Sequence, residues 1–244
     1  MATETSSSNS PSFSGALLTA ALALVFGFLG AAVWSLTGLA DNRTRSFLME
    51  NPDMLIAMSE ELQAREASER LAEAGDEVFD AFPGAVLGNP QGSRVLVEFT
   101  DYNCPYCEAS LRDVAQLIAN DPELKVVVRE WPIFEGSDVA SRMALAAAMQ
   151  GKYRAFHEKM FELGPATPET VEAAAIAAGL NLEKARADAV SDPVSVELAR
   201  NQSLARAIGF SGTPAWVMGD QALGGAVGYE TLKEAIDEAS AEAS

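Results

Sequence analysis

The chain has 244 residues, 48% of them hydrophobic and 21% charged, which supplies a packed core and rules out wholesale disorder. Acidic residues outnumber basic ones 35 to 17, for a formal net charge of −18, which excludes nucleic acid or anionic lipid as a general surface partner. Two cysteines and one histidine exclude a disulfide-dense secreted scaffold, and a four-ligand Cys/His zinc site would need carboxylates to complete it within one chain.

Residues 1–13 are mostly Ser, Thr, Asn and Pro and are expected to be disordered. From Gly15 to Leu39 there is no charge, and only Thr19, Ser35 and Thr37 interrupt the run with polar side chains. As a helix it would be roughly 37 Å long, enough to cross a ~30 Å hydrocarbon layer with some tilt. Residues 14–40 are therefore read as an uncleaved transmembrane signal-anchor. The alternative is a leader cleaved at Gly38-Leu39-Ala40; the length of the run and the lack of a preceding Lys or Arg speak against it. Arg43 and Arg45 follow the run, so the positive-inside rule leans weakly toward a cytoplasmic C-terminal part.

Residues 41–83 read as a polar helical stalk. Leu48, Leu55 and Leu62 recur every seven residues with Met58 between the last two, and Leu71, Ala74, Val78 and Phe82 follow at three- and four-residue steps. So narrow a stripe suits either self-association, giving a homo-oligomer through residues 43–82, or packing on the following domain. Pro52 interrupts it. Phe82-Pro83-Gly84 and the stretch from Gly88 to Gly92 are turns. Arg94 to Thr100 and Leu124 to Arg129 read as strands. The segment between them places Cys107, Leu111, Val114, Leu117 and Ile118 on one helical face, and Asp121-Pro122 stops it. Strand, helix and strand with short connections predict a parallel βαβ unit. A long helical stretch runs from about residue 137 to 208, with Thr167-Pro168 and Asp192-Pro193 each read as an N-cap followed by the first helical residue. Residues 214–218 read as a strand, Gly219 to Gln221 as a hairpin turn, and Tyr229 to Ala239 as a closing helix.

Cys104-Pro105-Tyr106-Cys107 follows the first strand and opens a helix. Cysteines at this spacing lie on one face within disulfide reach, and the free N–H groups and positive dipole end favour a thiolate on Cys104. Pro105 suits the first turn because the helix needs no N–H there. Cys107, one turn on and on the apolar face, is expected to be less exposed and to resolve a mixed disulfide formed by Cys104. A passive staple is disfavoured, since so short a loop removes little chain entropy. A shared Cu(I) or zinc half-site is a further alternative. Glu98 lies within a strand that a parallel sheet would cover on both faces; buried there it would have a raised pKa and relay protons to or from Cys107, whereas on an edge strand it would simply be exposed. Pro214 opens a strand, which is compatible with a cis bond from Thr213.

The segment from Glu98 to Cys107, the helical insert and Ser211-Gly212-Thr213-Pro214 together resemble the DsbA family of thioredoxin-fold thiol–disulfide oxidoreductases, over roughly Gly88 to Ala239. The acidic lead-in containing Asn51-Pro52 is similar to ScsC-like members, in which such a region can mediate oligomerisation. The resemblance implies an α/β thioredoxin-like fold over residues 84–244 with a helical subdomain inserted at about 137–208, preceded by the transmembrane helix and amphipathic stalk. It implies Cys104 as nucleophile, Cys107 as resolving cysteine, Glu98 as the buried acid beneath them, and Pro105 and Tyr106 as the active-site dipeptide. It also implies a cis Pro214 and a Thr213 that contribute to substrate binding. Strongly oxidising members carry histidine in the dipeptide, and this chain does not; its His157 lies in an aromatic-rich helix and is read as structural.

The activity so implied is disulfide exchange with cysteine-containing proteins, as oxidase or isomerase. It needs no dissolved cofactor and no metal, only a redox partner that resets the pair. Disulfide formation requires an oxidising compartment, so the catalytic domain is expected on the periplasmic or extracytoplasmic side of the inner membrane, against the weak arginine signal. An anchored oligomeric module binding Cu(I) or zinc, and a cytoplasm-facing reductase, are the alternatives.

Overall fold

The structure is a computed structural model that describes residues 13–36 and 39–242; the N-terminal tail, for which disorder is expected, lies almost wholly outside them. The chain divides into two compact units between Glu60 and Glu61.

In the first unit the uncharged run forms α1 (Phe13–Leu36), with Leu24, Phe26 and Phe28 exposed. Among the residues described, no helix is long and apolar enough to cross a membrane. The stalk forms α2 (Leu39–Glu50) and α3 (Pro52–Ala74). Pro52 does not break a helix but opens one, because at the first helical position its missing N–H costs nothing. Phe47, Leu55 and Met58 are exposed here.

The second unit is built on a five-stranded sheet of order β1-β3-β2-β4-β5. Its strands are β1 (Val86–Gly88), β2 (Arg94–Thr100), β3 (Leu124–Glu130), β4 (Ala215–Met218) and β5 (Gln221–Gly224). β2 and β3 run parallel, with Glu98 opposite Val128 and Thr100 opposite Glu130. The crossover between them is α4 (Pro105–Asn120), which gives the expected βαβ unit. β1, β4 and β5 join antiparallel.

The helical stretch is five helices: α5 (Asp138–Ala148), α6 (Tyr153–Leu163), α7 (Pro168–Ala177), α8 (Leu182–Ala189) and α9 (Asp192–Ile208). Thr167 caps α7 in a reciprocal capping box with Thr170. At α9 the cap is Ser191 rather than Asp192, which moves Pro193 one place into the first turn, where a missing N–H is still harmless. Gly209 ends α9 in the left-handed conformation that glycine takes without a Cβ clash. A last helix, α10 (Tyr229–Glu242), closes the chain.

Alternation along the strands splits the core in two. Leu96, Val126, Val128, Trp216 and Met218 face α4, α10 and the inserted helices. Val97, Phe99, Val127, Ala215 and Val217 face α9 on the other side. Leu71 and Val78 of the lead-in are buried in this second cluster, with Ala74 and Phe79 packed on it. The later half of the predicted stripe therefore docks on its own domain, whereas Leu62 is exposed.

Arg129, on the same face of β3, fastens that lead-in. Its Nε donates to Val78 O at 3.0 Å and its Nη2 to the carbonyls of Glu77 and Asp80 at 2.6 Å each. Its Nη1 donates to Glu197 Oε1 at 3.1 Å and Asn201 Oδ1 at 2.8 Å on α9.

Candidate active site

β2 sits at the centre of the sheet, and its last residue delivers the chain into a short loop before α4. Cys104 is the cap residue of α4, with φ −90° and ψ 114°, and Pro105 follows inside the first turn. The loop is held by its own side chains. Asp101 accepts from Asn103 N at 2.7 Å, from Ile133 N at 2.7 Å, from Phe134 N at 2.9 Å and from the Ser137 hydroxyl. Asn103 donates to Glu135 O at 2.9 Å and accepts from Ala166 N at 2.7 Å. The cysteine loop is thus tied to the β3–α5 connection and to the loop before α7. Replacing Asp101 by alanine would strand three backbone N–H groups; urea unfolding is expected to show a loss of about 2–4 kcal/mol.

Both cysteines are free thiols. Cys107 is fully buried, and Cys104 is nearly so at 1% exposure. The exposed members of the motif are Pro105 and Tyr106, the latter at 66%. The expected contrast between the two sulfurs is therefore slight, because the loop before β4 folds over Cys104. That loop carries a cis Thr213–Pro214 bond, as the sequence suggests, and the Cys104 thiol donates to Thr213 O at 3.1 Å.

Glu98 lies on the central strand, not an edge, at 1% exposure. Burial first, and the nearby Glu130 carboxylate second, raise its pKa to about 8. Its Oε2 has no hydrogen-bond partner among the described residues. Burial, and then the charge of Glu98, push the Cys107 thiol well above the ordinary thiol range. The structure thus brings Glu98, Cys107, Cys104, Thr213 and Pro214 together on one side of the sheet.

Sequence reasoning missed a second buried acid. Glu130 is fully buried; its Oε1 accepts from Tyr102 Oη at 2.9 Å and from Tyr153 Oη at 2.7 Å. Tyr102 Oη also lies 3.0 Å from His157 Nδ1. Burial raises Glu130 to about 8 and lowers His157 to about 3, so the imidazole is neutral. The signal was present: continuing the β3 alternation one residue beyond Arg129 places Glu130 on the face of Val126 and Val128. Tyr153 and His157 are one helical turn apart and could be paired with each other, but not with Glu130, from spacing alone.

A dithiol at the mouth of a helix, faced by a cis-proline loop and underlain by a buried carboxyl on a sheet of this topology, defines a thioredoxin-fold redox protein. Residues 95–237 match the description "DSBA-like thioredoxin domain". The chain belongs to that family, whose members are thiol–disulfide oxidoreductases.

Among solved structures, a thioredoxin-like oxidoreductase from Silicibacter pomeroyi is 41% identical with a TM-score of 0.64, covering 68% of this chain and 96% of its own. The thiol-disulfide exchange protein alpha-DsbA2 from Wolbachia pipientis is 26% identical with a TM-score of 0.65, covering 71% and 97%. A linker-deletion variant of ScsC from Proteus mirabilis is 28% identical with a TM-score of 0.66, covering 82% and 92%. A curated relative, the Na(+)/H(+) antiporter NhaA 1 of Salinispora arenicola, is 26% identical over 160 residues, 64% of this chain and 24% of that protein. The chain spans about a quarter of the length of the curated relatives it matches.

Proposed function

We propose that the protein exchanges disulfides with cysteine-containing extracytoplasmic proteins, as an oxidase or isomerase, through Cys104 and Cys107. The observation that carries this reading is the contact of the Cys104 thiol with the carbonyl of Thr213 in the cis-proline loop, 3.1 Å away. It sets the nucleophile beside a backbone edge on which an extended substrate can lie. A substrate thiolate attacks Sγ of Cys104 in the oxidised pair, and Sγ of Cys107 leaves. The substrate's second thiolate then attacks the mixed disulfide, so that substrate leaves oxidised and the pair is reduced. A redox partner resets the pair, and no dissolved cofactor takes part.

Residues 14–40 anchor the protein in the inner membrane, with the catalytic domain on the oxidising side. The uncharged run from Gly15 to Leu39 in the sequence supports anchorage; the chemistry supports the side. Self-association, where it occurs, uses the exposed apolar side chains of the stalk, among them Leu55, Met58 and Leu62.

The full chain in detergent, oxidised at Cys104–Cys107, is mixed with a reduced peptide carrying two cysteines. Formation of peptide disulfide with stoichiometric appearance of the Cys104 and Cys107 thiols is expected. A peptide that stays reduced while the pair stays oxidised overturns the reading. Protease treatment of intact spheroplasts tests the placement, and a fully protected domain reverses it.

A further inference from the structure

The two buried acids sit on the same face of adjacent strands. Glu130 pairs with Thr100 in the β2–β3 register, and Glu98 is two residues back on β2, so the carboxyls are diagonal neighbours across the ladder. Their surroundings differ. Glu98 meets the Cys107 thiol of α4, with Thr100 and Thr213 nearby. Its Oε2 finds no donor. Glu130 meets Tyr102 from the cysteine loop and Tyr153 from α6, both donating to one oxygen. Ser141 of α5 lies near it and Asp101 of the cysteine loop repels it, while Asn201 of α9 donates only to its backbone carbonyl, at 3.0 Å.

Counting protons shows which acid gives one up. With Glu130 ionised, the Tyr102 and Tyr153 hydroxyls both point at Oε1, and the contact between Tyr102 and His157 is completed by an Nδ1–H on the imidazole. That tautomer leaves Nε2 a bare acceptor, in keeping with its having no partner among the described residues. With Glu130 protonated, a surplus proton must either displace a phenol O–H from Oε1 or sit on Oε2, which has no hydrogen-bond partner among the described residues although the Ser141 hydroxyl lies nearby. Both phenols resist ionisation strongly, burial being the main cause, so they remain donors.

We propose that Glu130 is a positioning residue that keeps Glu98 in its acid form: the first proton to leave this pair leaves Glu130, and the charge then cradled by Tyr102 and Tyr153 holds the second proton on Glu98. This rests on the exchange reading above and names its proton source. When a substrate thiolate attacks, the bond between the substrate sulfur and Sγ of Cys104 forms and the Cys104–Cys107 bond breaks. The electron pair goes to Sγ of Cys107, and the Glu98 proton follows it. Where Glu130 is ionised, the new charge on Glu98 faces it, which favours return of a proton to Glu98 when Cys107 is next deprotonated for attack.

The test is a carboxyl-carbon NMR titration of the full chain in detergent micelles, with Glu98 and Glu130 assigned from the resonances lost in Glu98→Gln and Glu130→Gln. In the wild type, Glu130 is expected to titrate below Glu98. In Glu130→Gln the Glu98 midpoint is expected to fall by about one pH unit or more, a tenfold change in proton affinity. Tyr153→Phe, which keeps the ring and removes one donor, should move Glu130 up and Glu98 down, and it carries the test should Glu130→Gln not fold. A Glu98 that titrates before Glu130, or whose midpoint ignores both substitutions, overturns the proposal. The titration needs no turnover, so a wild-type chain inert toward the reduced peptide would sink the exchange reading without deciding the proton order.

Discussion

Cys104→Ser is expected to reduce exchange to the uncatalysed rate, and Cys107→Ser is expected to accumulate a substrate mixed disulfide instead. The two outcomes follow from the different surroundings of the sulfurs. Cys104 caps α4, where backbone N–H groups converge, and touches the loop that a substrate would line. A serine hydroxyl there is neither nucleophile nor leaving group for disulfide exchange. Cys107 lies beneath, its thiol held protonated chiefly by burial. It reacts late and at short range, when a mixed disulfide already sits above it. Without it the mixed disulfide with Cys104 has no internal attacker and persists. Mass spectrometry of iodoacetamide-treated wild type should show Cys104 alkylated before Cys107. Trapped adducts that form through Cys107 in the Cys104→Ser variant would reverse the assignment.

Arg129→Met should lower stability by about 3–5 kcal/mol, or roughly 10 °C in Tm. Burial pushes Arg129 down and Glu197 up, against the pull of each on the other; for each, desolvation is the larger influence. The pair is therefore not a source of stability relative to an apolar core. The cost comes from removing one side of it: the carbonyls of Val78 and Asp80 would lose their donor, and Glu77 O would keep only the longer contacts from Asp80 N and Arg200, at 3.3 Å each. Arg200, partly exposed, reaches Glu77 O at 3.3 Å and the Asp80 carboxyl at 3.2 Å. Arg200→Ala is the control and should cost less than about 1 kcal/mol. Equal losses from both substitutions in thermal unfolding would show that the guanidinium network of Arg129 is not what fastens the segment.

The central strands, α4 and the cysteine motif were legible because each follows from a short-range signal. Val-rich runs mark β2 and β3, and Asp121-Pro122 forces the helix between them to stop. β1 and β5, at three and four residues, are too short for alternation to declare itself, and they exist because β3 and β4 offer them an edge. The stalk was half legible: its stripe was visible, but whether Leu71 and Val78 would meet a second copy or their own sheet depended on Phe99 and Ile208, distant in sequence. Glu98 was found because its neighbours are apolar. Glu130 was missed because the acid follows an arginine on β3, so the local composition reads as a polar strand end. Alternation along β3 sends the two side chains to opposite faces, but only the fold shows that one meets α9 and the other two tyrosines.

The match to the family begins at residue 95, yet the back of the sheet is closed by side chains from Leu71 and Val78, well upstream. What is inherited as a module and what closes as a single folded body are therefore different stretches of chain. Any excision made at the family's own border would leave Val97, Phe99 and Val217 partly bare, and the resulting fragment would be a sticky one.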